Sequence, residues 1–171
     1  MNLFKLFQLE STAHPDHGQL LDRISQLGEN LSETELKQIT AIAGLCGRIA
    51  YADTQITDDE LMKTRAILHD ESKLSRASVN IIMQLIVEKR VELLTLEEHF
   101  YSRLANESMT VDQKRHLLKN LFRIAAADGT ICLEEENLLF NVASQLKVSR
   151  QEIVELKREF KEYLSVFQTR G

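Results

Sequence analysis

Arg123-Ile124-Ala125-Ala126-Ala127-Asp128-Gly129-Thr130-Ile131 restates Arg48-Ile49-Ala50-Tyr51-Ala52-Asp53-Thr54-Gln55-Ile56, with six of nine positions identical at an offset of 75 residues. The echo continues outward. Asp59-Glu60-Leu61 stands opposite Glu134-Glu135-Glu136, and after a one-residue slip Leu74-Ser75-Arg76 stands opposite Val148-Ser149-Arg150. Val79, Ile82 and Ile86 then match Ile153, Leu156 and Phe160. Both triplets have the i, i+3, i+7 spacing of one helix face. A period this long is not that of a tetratricopeptide or ankyrin array. It reads as a duplicated helical unit, and two such units share a core because neither buries its apolar face alone. The expected fold is therefore all-α: a pseudo-two-fold bundle of about eight helices.

Capping signals place the helices. A short helix over about 20–27 stops near Gly28. Ser32-x-x-Glu35 opens a long helix to about Ala52, and Thr57-x-x-Glu60 opens one to about Asp70. Ser75 caps a helix to about Lys89. The second unit begins near Thr95, with Thr110-x-x-Gln113 opening its long helix to Ala127. A helix over about 133–146 follows, and Ser149-x-x-Glu152 opens the last, to about Phe167. No useful stretch alternates with period two. The single proline, Pro15, lies in a polar linker, so residues 1–18 form an N-terminal segment. Residues 19–171 form one helical domain of two repeats, about 20–90 and 95–167.

Length and composition agree. A chain of 171 residues suits one domain. Its 21 basic and 26 acidic side chains give a net charge of −5, which disfavours nucleic acid or an anionic membrane as the main partner. Cys46 and Cys132 lie in separate apolar segments without a CxxC, as expected of two buried, inert thiols in a reducing compartment. No secretory signal is recognisable, and no run of 18 apolar residues spans a membrane. Met1 to Leu9 is apolar with one cation, and is expected to pack on its own domain rather than on a lipid surface.

The candidate sites are two acidic turns. Asp53, Asp58, Asp59 and Glu60 fall within residues 51–61, and Asp128, Glu134, Glu135 and Glu136 within 128–136, with no base in either stretch. Oxygen ligands at this density suit a hard divalent cation, Ca²⁺ or Mg²⁺. Asp128, Gly129, Ile131 and Glu135 even match positions 5, 6, 8 and 12 of an EF-hand loop. Positions 1 and 3 would be Ile124 and Ala126, which carry no ligand, so neither turn is an EF-hand. Capping offers the plainer account. An Asp at a helix end makes an Asx-turn, and Glu60 and Glu135 sit where a carboxylate caps the next helix. Asp59 and Glu134 are surplus to that duty. The cation reading thus names Asp53, Asp59, Glu60, Asp128, Glu134 and Glu135.

Other features have plain readings. His14-x-x-His17 lacks a third ligand. Arg115, Lys119 and Arg123 recur at i+4, a basic stripe that suits a solvated face or pairing with acidic neighbours. Arg48 and Arg123 each precede an Asp by five residues and are expected to bond a carboxylate. Ala43, Gly47 and Ala50 mark a close helix crossing. The six glycines are scattered, with no phosphate-cradling loop.

Ala127-Asp128-Gly129-Thr130-Ile131 followed by Glu134-Glu135, after a long helix with an Ala-rich end, resembles the TerB family of bacterial tellurite-resistance-associated domains. Leu146-Lys147-Val148-Ser149-Arg150-Gln151-Glu152 continues the resemblance, which spans about 20–165. The first repeat departs from it, with Thr54 where Gly is usual. The resemblance implies a pseudo-symmetric all-α bundle acting as a non-catalytic interaction domain with protein partners. It implies a role in cytoplasmic stress-response or tellurite-linked assemblies, some at the inner face of the membrane. It also implies divalent-metal binding, whose matched positions are Asp53, Glu60, Asp128 and Glu135. An enzyme using paired carboxylates is the least favoured reading, because exposed cap acids seldom have the shifted pKa of a catalytic group.

Overall fold

The computed structural model describes residues 19–27, 30–53, 56–88 and 99–168. The described residues form nine α-helices and one 3₁₀ turn, with no strand: α1 (Gln19–Ser25), α2 (Glu33–Ala50), α3 (Asp58–Ser72), α4 (Arg76–Glu88), α5 (Phe100–Ser108), α6 (Val111–Ala125), α7 (Leu133–Gln145), α8 (Arg150–Glu159), the 3₁₀ turn Lys161–Tyr163, and α9 (Ser165–Gln168). The all-α expectation holds. The N-terminal segment, its His14 and His17, and the start of the second unit near Thr95 lie outside the described residues.

The capping boxes read from the sequence are built as expected. Ser32, Thr57, Thr110 and Ser149 each accept the backbone N–H three residues on, at 3.2–3.3 Å. The side chains of Glu35, Glu60, Gln113 and Glu152 accept the cap residue's own N–H, at 2.7–3.0 Å. Each box satisfies two otherwise orphaned donors, which is why these helices start where they do.

α2 is the central element. Its residues from Ile39 to Gly47 are all buried, as are Ile49 and Ala50. It packs against α1, α3, α5 and α6. The closest crossing falls at Gly44, beside the Ala43–Gly47–Ala50 stripe that the sequence marked. A β-carbon there would lie 2.2 Å from the ring of Tyr101, itself 1% exposed on α5. Polar ties fix the other helices. Glu71 of α3 accepts from His116 (2.7 Å) and Asn120 (3.0 Å) of α6. Ser102 and Asn106 of α5 donate to the side chain and backbone of Gln145 on α7. Buried Glu136 of α7 pairs with Lys157 of α8 at 2.7 Å.

Two expectations are corrected. The last helix does not run from Ser149 to Phe167 but stops at Glu159. Phe160 turns into the core beside Phe122, and Leu164 forms a single parallel bridge with Ile131. Ile131 N–H donates to the Tyr163 carbonyl (2.6 Å) and Ser165 N–H to the Ile131 carbonyl (3.1 Å). A continuous helix would direct those backbone groups along its own axis, so the chain leaves the helix to make this bridge. The second correction is Arg123, whose guanidinium donates to the neutral side chain of Asn120 (3.0 Å) rather than to a carboxylate. Asn120 lies one helical turn away on α6, the nearer partner.

Candidate functional site

Both acidic turns connect a buried long helix to a capped one. α2 ends at Ala50 and α3 begins at Asp58; α6 ends at Ala125 and α7 begins at Leu133. Asp128 makes the Asx-turn that shapes the second exit, its carboxylate accepting Thr130 N–H at 2.9 Å. Gly129 follows with φ +99°, a conformation open to glycine and costly for other residues. Ile131 is fully buried and Ile56 packs half-buried on the same core.

Glu60 and Glu135 point inward and are each only 4% exposed. Each accepts the N–H of its cap residue, Thr57 (2.7 Å) or Cys132 (2.9 Å). Burial raises both carboxyls above their ordinary range, outweighing those hydrogen bonds. Glu135 is pushed up to about 8. The two turns face one another electrostatically. After burial, the Glu60 and Asp128 charges raise Glu135, and the Asp128 and Asp53 charges raise Glu60. Four of the six sequence-predicted residues are thus within electrostatic reach of the buried pair: Asp53 and Asp128 bear on Glu60, and Glu60 and Asp128 on Glu135.

The other two stand apart. Asp59 is exposed and faces a groove that it lines with Met62, Lys63, Arg123, Phe160 and Tyr163. Glu134 is exposed beside Cys132, whose thiol is only half-buried, unlike the fully buried Cys46. Burial, helped by Glu135 and Glu134, still pushes the Cys132 thiol up to about 12, so it carries no thiolate near neutrality. Among the described residues, no three His, Cys, Asp or Glu side chains converge in an arrangement that could hold a metal ion.

The groove itself was not anticipated. It has a volume of about 480 Å³ and lies between α3, the end of α6 and the segment after α8. Its sequence signal is the set Asp59, Met62, Lys63 and Ala66, at i, i+3, i+4 and i+7 on one face of α3. The basic stripe of α6 divides here. Arg115 pairs with Asp112 and Glu152, and Lys119 with Glu159 (2.7 Å). Those two cations serve acidic neighbours as expected, while Arg123 opens onto the groove.

No described helix is long and apolar enough to cross a membrane. Comparisons with curated proteins and with solved structures give no match. The family described as tellurite resistance protein TerB matches residues 38–158, which is most of the chain and takes in both acidic turns, their capped helices and the α6 end of the groove, and the chain belongs to that family.

Proposed function

We propose that this chain is a non-catalytic interaction domain of the TerB type, serving a cytoplasmic stress-response or tellurite-linked assembly. The observation that carries the reading is the division of the carboxylates. Glu60, Glu135 and Asp128 are committed to caps and a turn, which leaves the outer face, with Asp59 and the exposed Met62 (61%), to meet a partner. Affinity capture from cells carrying the chain, followed by reconstitution from two purified proteins, tests it. A defined complex by light scattering is expected; no partner surviving reconstitution overturns the reading.

A second reading is a divalent cation, Ca²⁺ or Mg²⁺, held at the acidic turns and changing partner affinity. The charges of Asp53 and Asp128 near Glu60, and of Glu60 and Asp128 near Glu135, support it, because a cation would offset them. Near neutral pH binding would displace the Glu135 proton. Titration calorimetry of metal-free protein with Ca²⁺, Mg²⁺, Mn²⁺ and Zn²⁺ in buffers of different ionisation heat should then show proton release, with Asp128→Ala weakening binding more than Asp53→Ala. The absence of heat at millimolar ion removes this reading and leaves the first untouched.

A further inference from the structure

The groove is directional. Glu71, near the C-terminal end of α3, bonds His116 and Asn120 of α6, whereas Asp59, at the N-terminal end of α3, shares the groove with Ala126 and Ala127 beyond the end of α6. The two helices therefore run antiparallel along it. Asp59 marks one end, and Lys63 and Arg123 lie further along toward Glu71. Between and beneath them are apolar surfaces: Met62, Ala66, Ala126, Ala127, and the rings of Phe160 and Tyr163, which stand 6.1 Å apart.

On the α3 wall Met62 and Ala66 lie one helical turn apart, and an apolar strip with that spacing suits the apolar stripe of a docked segment. The groove's small Ala side chains leave room for an inserted one, and Met62 is flexible enough to mould to it. The charges select the occupant. Among the described residues Lys63 makes no ion pair, and the Arg123 guanidinium bonds only neutral Asn120. Both are exposed, and both stand opposite the place where a docked segment's polar edge would lie. Asp59 disfavours an acid at the other end.

We propose that the groove between α3, the end of α6 and Phe160–Tyr163 docks an amphipathic segment of a partner protein, with an aliphatic anchor on the alanine and aromatic floor and an Asp or Glu over Lys63 and Arg123. This rests on the interaction-domain reading and names the chemistry of its partner.

The test is selection of a random 12-residue peptide display library on the full chain, followed by fluorescence anisotropy with synthetic copies of the enriched peptides. An aliphatic residue close to an Asp or Glu is the expected consensus. Lys63→Glu with Arg123→Glu should weaken binding at least tenfold, and Met62→Ala should weaken it severalfold. A peptide with Lys in place of its acid should regain binding to the charge-reversed chain. Lys147→Glu with Arg150→Glu, which alters net charge equally on an exposed segment elsewhere, should have no effect. Because Arg123 also donates to buried Asn120, binding is compared at a temperature where every variant is folded; a variant that melts too early for this is replaced by Lys63→Gln with Arg123→Gln, which should weaken binding in the same direction. An enriched peptide that binds the parent and the groove variants alike overturns the groove as the site and leaves the interaction-domain reading standing. A basic consensus, or none, overturns the proposal. A reconstituted partner indifferent to these variants overturns the proposal and leaves the broader reading standing, whereas failure to find any partner removes the broader reading and this proposal with it.

Discussion

Glu135 is the residue whose chemistry departs furthest from its type among the described carboxylates. Its carboxyl titrates near 8 in the fold, above an ordinary value of 4.5, because burial and the facing Glu60 and Asp128 disfavour its charge. The fold therefore binds the Glu135 proton more tightly than the unfolded chain does. This contribution to stability is complete below about pH 4.5 and is lost as pH rises through 8. Glu135→Gln keeps a cap acceptor without the charge. In metal-free buffer it should melt like the parent at pH 4 and above the parent at pH 9, with a flatter profile between. A parent whose melting temperature is no lower at pH 9 than at pH 6, relative to Glu135→Gln, contradicts the assignment. At the same scale, Gly44→Ala should lose about 1–3 kcal/mol, because the added methyl meets the buried Tyr101 ring and overpacking exceeds the helix-propensity gain. Chemical denaturation measures it.

At the scale of elements, the caps separate structural from surplus acids. Glu60→Ala and Glu135→Ala should each cost on the order of 0.5–2 kcal/mol by analogy with loss of a cap side chain. Asp59→Ala and Glu134→Ala should stay within about 0.5 kcal/mol, as exposed substitutions do. Thermal melts of the four variants check this; equal losses in all four would make Asp59 and Glu134 structural as well. The caps are also where the sequence spoke most clearly. Ser32-x-x-Glu35, Thr57-x-x-Glu60, Thr110-x-x-Gln113 and Ser149-x-x-Glu152 are local patterns, and each opens the helix it announced. α5 carries no such mark: His99 precedes it without a side-chain cap, and packing of Tyr101 on Gly44 holds it instead. The bridge of Leu164 to Ile131 was likewise unreadable, since it joins backbone groups 33 residues apart and leaves no side-chain pattern. The capping pattern already set Glu60 apart from Asp59 by duty; that Glu60 is buried while Asp59 faces a groove needed the structure, because only packing decides which side of the helix is covered.

The whole molecule joins a closed interior to an open outer face. α2 threads the core, and the C-terminal bridge fastens the second acidic turn to the segment that walls the groove. Residues 19–171 are expected to melt in one cooperative transition, because both repeats draw on that core; two separate transitions would divide the domain. The central claim is that the inner carboxylates build the fold while the outer face binds. The most direct measurement takes melting temperature and partner affinity together, in a reconstituted complex, for Glu135→Ala and for Lys63→Glu with Arg123→Glu. The account predicts that the first variant lowers the melting temperature and, at a temperature where it is folded, keeps its affinity. The second should be folded at the same temperature and lose affinity at least tenfold. A complex in which Glu135→Ala abolishes binding by the folded protein, while the charge-reversed groove binds normally, would contradict it.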